Sequence, residues 1–165
     1  MKSLVCLLAV LLFTSFASAS IIEVGTGANT VGVEIEWKDG YLAEFVVSFD
    51  TPSIAGFDVF DIITAETTLT TVVENFGWGD FIDGISFDGH INVGFLGGDD
   101  WWHYWIKDTN GDWLSPAYGL SDRVMLPGDT DGWRYGSALA PGVVPEPATM
   151  AMLAIGGFLA RRKRS

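Results

Sequence analysis

Three short segments follow one another at the carboxyl end of the chain and limit what it can become. Residues 145–147 are Pro-Glu-Pro, residues 148–160 are thirteen mostly apolar residues, and residues 161–164 are the basic run Arg-Arg-Lys-Arg. As a helix, thirteen residues span about 20 Å, whereas the hydrocarbon core of a bilayer is about 30 Å thick. We therefore expect the apolar segment to occupy the membrane transiently rather than to serve as a lasting anchor.

This order of segments resembles the PEP-CTERM sorting signal of bacteria that secrete exopolysaccharide, over residues 143–165. The resemblance implies that a membrane-embedded exosortase recognises Pro145, Glu146 and Pro147 and removes the tail. The basic residues that are expected to hold the cytoplasmic end are Arg161, Arg162, Lys163 and Arg164. An ordinary short carboxyl-terminal anchor is the alternative interpretation of the same segment.

The amino end is typical of a secretory signal peptide, residues 1–19. Lys2 gives the positive start, residues 4–16 form an apolar run, and Ala17-Ser18-Ala19 is a small-residue cleavage site before Ser20. We therefore expect export by the Sec machinery, transient anchoring in the inner membrane by the tail, and a final place in the cell envelope or outside the cell. A first transmembrane helix is disfavoured because the apolar run is short.

The remaining residues, 20–142, are expected to form one exported domain. They hold twenty of the 21 acidic residues but only four basic ones, which leaves a formal net charge of −16. Such a surface repels nucleic acid and anionic lipid, so we exclude nucleic-acid binding. Cys6 is the only cysteine and lies in the signal peptide, so the exported domain can contain no disulfide and no cysteine-based metal or catalytic site.

The domain begins with the pattern of a β-hairpin. Apolar and polar residues alternate over residues 30–37 and again over residues 41–49, and Lys38-Asp39-Gly40 between them is a typical turn. The spacing of Ile54, Phe57, Phe60 and Ile63 then favours a short helix with Ser53 as its N-cap, although a buried strand stays open.

Residues 67–76 and 81–87 return to the composition of strands. The order strand, strand, helix, strand, strand predicts an α+β fold, mainly β with one short helix. We expect a β-grasp-like roll in which the helix packs across a mixed sheet.

Aromatic residues are concentrated between residues 101 and 136, where Asn110-Gly111 predicts a second hairpin turn. They either fill the core or leave one face of a strand open for stacking on a ligand, and the sequence leaves both readings open. The candidate ligand contacts are Trp101, Trp102, Tyr104, Trp105, Trp113, Trp133 and Tyr135.

The runs WWHYWIKDTNGDW and GDTDGWRYG, with Gly119 between them, resemble a domain of bacterial exported proteins that is similar to the carboxyl-terminal domain of transcobalamin. The resemblance extends over residues 30–136. It implies a small α+β binding domain, which in the vitamin carriers contacts cobalamin.

Metal and catalytic motifs give weaker signals. Asp108, Asn110 and Asp112 match the first ligands of a calcium loop, but the sixth and twelfth positions are Trp113 and Gly119. A hairpin turn explains the same residues, so we expect no metal and no cofactor. The two histidines, His90 and His103, stand in no catalytic motif, and we assign no catalytic residues.

These observations predict an exported, non-enzymatic protein of the cell envelope or extracellular matrix, which is sorted by its tail and meets exopolysaccharide or other envelope components. Two alternatives remain. One is a module that binds a small ligand, a sugar or a cobalamin-like compound, through the aromatic region. The other is a hydrolase that uses two carboxylates.

Overall fold

The computed structural model describes residues 21–143 apart from residues 76 and 78, and it is mainly β with one short α-helix, as expected. The strands are β1 (Ile21–Gly25), β2 (Asn29–Glu36), β3 (Leu42–Phe49), β4 (Ile54–Ala55), β5 (Thr70–Asn75), β6 (Asp80–Phe87), β7 (His90–Val93), β8 (Trp102–Lys107), β9 (Trp113–Leu114), β10 (Val124–Met125) and β11 (Thr130–Tyr135). The helix α1 covers Gly56–Glu66, and a short 3-10 helix covers Leu120–Asp122. The signal peptide and the sorting signal from residue 144 onward lie outside the described residues.

A six-stranded mixed sheet, in the order β1-β3-β2-β11-β8-β9, forms the centre of the domain. β2 and β3 are antiparallel, which confirms the first predicted hairpin. β8 and β9 are antiparallel around the Asn110-Gly111 turn, which confirms the second. The last strand, β11, lies between β2, to which it is parallel, and β8, to which it is antiparallel.

The alternation that predicted the first hairpin also decides which side of the central sheet is buried. Val33, Ile35, Phe45 and Val47 are at most 1% exposed, and they point toward the core, whereas the residues between them are only partly buried. Gly40 closes the turn with a φ of 86°, a conformation that residues with a Cβ rarely adopt. Local sequence alone therefore specifies this part of the fold.

The strands that follow the helix differ from the expected arrangement. β5 and β6 form as predicted, but they pair with each other and with β7 in a separate three-stranded sheet. This second sheet packs on the inner face of the first through Trp37, whose indole N–H donates to the carbonyl of Ile85 at 3.0 Å. The places beside the first hairpin in the central sheet are taken instead by β11 and β8.

Helix α1 is confirmed, but its predicted start is wrong. Ser53 is not the N-cap; the helix is preceded by Ala55 in an extended conformation with no side-chain cap. Instead, Ile54 and Ala55 pair with β10, and the Gly56 N–H donates to the carbonyl of Arg123 at 2.9 Å. A tertiary contact thus satisfies one of the first N–H groups of the helix, which have no partner within the helix itself.

No helix in the described ranges 21–75 and 79–143 is long and apolar enough to cross a bilayer. The helix α1 has only eleven residues, and its buried side consists of Val59, Phe60 and Ile63 together with Gly56. That side packs against the core of the domain.

A buried ionic network connects the loop before β11 to the central sheet. The Asp131 side chain is 0% exposed, and its carboxylate accepts from the Arg123 guanidinium at 2.9 to 3.2 Å and from the Tyr104 hydroxyl at 2.6 Å. Burial raises the pKa of Asp131, while the bonds from Arg123 and Tyr104 act in the opposite direction. Arg123 also binds Asp129, so one guanidinium fixes the path of the chain from the 3-10 helix into β11.

We expect Arg123→Met to lower the free energy of unfolding by about 3–5 kcal/mol, because it leaves the Asp131 carboxylate buried without a positive partner. Urea unfolding, followed by tryptophan fluorescence, measures this change. The matched control is Lys38→Met, which breaks an ion pair with Asp100 whose lysine is 54% exposed, and which should cost no more than about 1 kcal/mol. Equal losses in the two variants would contradict the proposed importance of burial.

Candidate functional site

A cleft of about 450 Å³ opens beside β8, between that strand, the start of β6 and residues 115–122. β9 pairs only with Ile106 and Lys107, so the first four residues of β8 lie along an edge that β9 does not cover. The cleft follows this edge. It lies where a rigid strand faces a connecting segment, a common position for binding sites.

Five of the seven aromatic residues that the sequence singled out line the cleft: Trp101, Trp102, Tyr104, Trp105 and Trp133. Their exposure differs widely. Trp102 and Trp133 are buried, at 5% and 3%, whereas Trp101 is 41% exposed. The aromatic region thus supplies both core and surface, and the neighbours Trp101 and Trp102 differ in this way.

The floor of the cleft is a stack of rings that continues into the core. Tyr104 and Trp133 are stacked with their centroids 4.7 Å apart, and Trp133 meets Phe60 of α1 edge to face at 4.8 Å. Burial and the neighbouring Asp131 carboxylate both raise the pKa of Tyr104, so its hydroxyl stays protonated and donates to that carboxylate. This floor is rigid, because every ring is fixed by a neighbour.

The rim of the cleft carries exposed aromatic surface. Trp101 lies against the ring of His103 with centroids 3.8 Å apart, and Tyr118 on the facing segment is 41% exposed. The sequence did not single out Tyr118 or His103 as ligand contacts. Nothing in their local pattern indicated that residues 115–122 fold over β8, so no signal could have separated them from other polar and aromatic residues.

Polar groups also occur at the cleft. The indole N–H of Trp105, one of the lining residues, is buried and lacks a hydrogen-bond partner among the described residues. Such a donor costs about 1–3 kcal/mol when it stays unpaired. The carboxylates of Asp80 and Asp122 and the hydroxyl of Ser121 also line the cleft, and the side-chain amide of Asn75 donates to Asp80 at 2.6 Å.

The other two candidate contacts, Trp113 and Tyr135, lie away from the cleft. Trp113 packs over Gly132 on the outer face of the central sheet, where Lys107 lies 4.4 Å from its ring centroid. Tyr135 is 3% exposed and its hydroxyl donates to the carbonyl of Gly94. Neither residue lines the cleft.

Residues 108–112 form the hairpin turn that the sequence favoured over a calcium loop. One oxygen of Asp108 accepts from the backbone N–H groups of Asn110 and Asp112, at 2.8 and 2.9 Å. These bonds lower the pKa of Asp108, the bond from Asp112 most of all. The carboxylate is thus already engaged in shaping the turn.

Residues 143–164 match the PEP-CTERM protein-sorting motif. The match supports the resemblance found at the tail, and the motif implies export and membrane-associated sorting by an exosortase to the cell envelope. No curated protein and no solved structure matches the chain. The resemblance of residues 30–136 to the transcobalamin domain is not supported by these comparisons and stays a prediction.

The protonation of His103 gives the first test of the site. Burial lowers the pKa of His103 below 6.5, although the carbonyl and the charge of Asp99 act in the opposite direction. Its neutral form therefore contributes stability above about pH 6.5, and that contribution is lost as the pH falls toward the lower pKa of the folded state. We expect the free energy of unfolding of His103→Gln to fall less than that of the wild type between about pH 7 and pH 5. Urea unfolding at several pH values measures the two slopes, and identical slopes would contradict the buried, neutral state.

Proposed function

We propose that this chain is an exported protein of the cell envelope or extracellular matrix, delivered by its PEP-CTERM signal and released when an exosortase removes that signal. The match of residues 143–164 to the sorting motif carries the proposal. Removal of the tail frees the folded domain from the membrane. The domain itself acts without catalysis, through contacts with exopolysaccharide or other envelope components.

The distribution of charge supports this route. The basic residues outside the domain lie at position 2 and in the run 161–164, whereas residues 20–142 have a net charge of −16. Basic flanks are retained on the cytoplasmic side of a membrane, which leaves the acidic domain on the other side. An acidic surface also keeps a released protein soluble.

We expect the wild-type protein recovered from its producing cells to lack residues 148–165, because the enzyme that recognises Pro-Glu-Pro separates them from the domain. Pro145→Ala combined with Pro147→Ala should retain those residues, since the rigid backbone of the recognition triplet is lost. Intact-mass spectrometry of both proteins measures the outcome. A wild-type protein that still ends in Ser165 would favour an ordinary anchor instead.

We propose, as a second candidate, that the cleft beside β8 binds a neutral carbohydrate. The observation in its favour is the presence of two exposed aromatic rings, Trp101 and Tyr118, both 41% exposed, in one cleft. The flat face of an aromatic ring can pack against a sugar ring, while a carboxylate such as that of Asp80 can accept from its hydroxyl groups. The acidic charge of the domain disfavours anionic sugars.

We expect Trp101→Ala to weaken binding of a neutral oligosaccharide, such as cellohexaose, by about tenfold, because an exposed aromatic ring that packs on the sugar is lost. Tyr118→Ala should also weaken binding, since it removes the exposed ring on the facing segment. The matched control is Ile91→Ala, which truncates a side chain that is 64% exposed outside the cleft. Isothermal titration calorimetry measures all three, and equal affinities, or no binding by the wild type, would contradict a carbohydrate site.

Binding of a cobalamin-like compound and hydrolysis by two carboxylates remain predictions from the sequence. The two carboxylates that line the cleft, Asp80 and Asp122, are the first positions to test for the second of these. An Asp→Asn change at either one would have to abolish turnover.

A further inference from the structure

Residues 137–143, here called the strap, lie across the outer face of the central sheet after β11 ends. Ala140 is 5% exposed and Pro141 is buried, although the strap belongs to no strand. The strap can pack against the sheet at this point because residue 132 is glycine. A Cβ at that position would lie 2.9 Å from Pro141 and 2.7 Å from Trp113, closer than such contacts allow.

An ion pair between Arg134 and Glu36 fastens the strap. The Arg134 Nη1 donates to the carbonyl oxygens of Ala140 and Val143 at 2.9 and 2.7 Å, while Nη2 lies 3.0 Å from Glu36 Oε1. The other oxygen of Glu36 accepts from the Gly142 N–H at 2.8 Å. Both side chains are about one-eighth exposed, at 13% and 12%, so water competes little with these bonds. We call this arrangement the clasp.

The clasp engages the sorting motif itself. The match to the motif begins at residue 143, and the carbonyl of Val143 is one of the groups that Arg134 binds. Only residue 144 separates Val143 from Pro145, so the covalent chain between their Cα atoms spans at most about 7 Å. With the strap docked, at most about 7 Å of chain therefore lies between the last fixed residue and the start of Pro-Glu-Pro.

This short distance opposes recognition by a membrane-embedded enzyme. Enzymes that act on a peptide bind it extended, with residues on both sides of the recognised sequence. While the strap is docked, Ala140, Gly142 and Val143 are bound to Arg134 and Glu36 and cannot enter an enzyme as an extended chain. Release of the strap adds seven residues to the tether, up to about 25 Å.

We infer that Arg134 and Glu36 are positioning residues for the sorting reaction, which keep the motif docked beside the folded domain until the strap leaves the sheet. The inference rests on the proposed processing by an exosortase. The fraction of molecules with a released strap then limits the rate of processing. The clasp thus makes release from the membrane depend on whether the strap is docked on the folded domain.

The test measures how fast the tail is removed, by immunoblot after a pulse of expression in a host that contains the exosortase. Arg134→Met removes the clasp, and Gly132→Ala displaces Pro141 without changing any charge. We expect processing on the order of tenfold faster in Arg134→Met, given the strength of hydrogen bonds to charged groups, and faster processing in Gly132→Ala as well. The control is Lys107→Met, which breaks the ion pair with Glu34 on the same face and should leave the rate unchanged.

A second pair of chains separates positioning from stability. An insertion of about eight Gly and Ser residues between residues 143 and 144 lengthens the tether without touching the clasp. Wild type with this insertion should be processed as fast as Arg134→Met, and Arg134→Met with the insertion should gain nothing further. If Arg134→Met fails to fold, the test is the rate of tail removal from the wild type with the insertion compared with the wild type without it.

The outcomes are distinct. Two results would overturn the role of the clasp and leave the proposed function intact. One is a tail that is removed no faster from the chain with the insertion than from the wild type. The other is a folded Arg134→Met variant whose tail is removed at the wild-type rate or more slowly. If the tail is removed neither from the wild type nor from any of the variants, the proposed function fails and the inference fails with it.

Discussion

The parallel pairing of β2 with β11 is the interaction on which the arrangement of this domain depends. It places the last strand in the middle of the central sheet, next to one strand of the first hairpin. The pairing sets Trp133 opposite Ile35 and Arg134 opposite Glu36. Because neighbouring residues of a strand point to opposite faces, this one register supplies both the floor of the cleft and the clasp on the outer face.

On the inner face, β11 contributes the groups that hold the cleft together. Trp133 stacks on Tyr104, and Asp131 binds both the Tyr104 hydroxyl and Arg123. Arg123 directly follows the 3-10 helix that borders the cleft. The buried ion pair therefore fixes the wall of the cleft opposite β8. The Asp131 carboxylate faces the core, yet it influences the shape of the cleft at the surface.

On the outer face, the same strand organises the end of the domain. Gly132 makes room for Pro141, and Arg134 joins Glu36 to the strap. The folded domain and the first residue of the matched motif, Val143, are thus in contact through Arg134. Their order in the chain is a matter of sequence, but their contact arises from the fold.

The sequence predicted the features that depend on neighbouring residues. The two hairpins followed from alternation and from the turns at Gly40 and Gly111, and the tail followed from its composition. These patterns are local, so each can be recognised without knowledge of distant residues.

The sequence could not predict the features that depend on distant partners. The helix starts at Gly56 because Ile54 and Ala55 pair with β10, far along the chain. Arg123, next to the segment that borders the cleft, binds the buried Asp131, and no spacing rule indicates this pairing. Trp101 and Trp113 have similar sequence surroundings, yet only Trp101 lines the cleft.

Native-state hydrogen exchange of the full chain, read by NMR at the Gly142 amide, tests most directly the claim that the folded domain holds the chain up to its sorting motif. That N–H donates to the partly enclosed Glu36 carboxylate in the docked strap. The account predicts that it exchanges at least tenfold more slowly than in an unstructured peptide, and that Arg134→Met removes the protection. Exchange at the unstructured rate in the wild type would contradict a docked strap, and with it the link between the fold and the release of the protein.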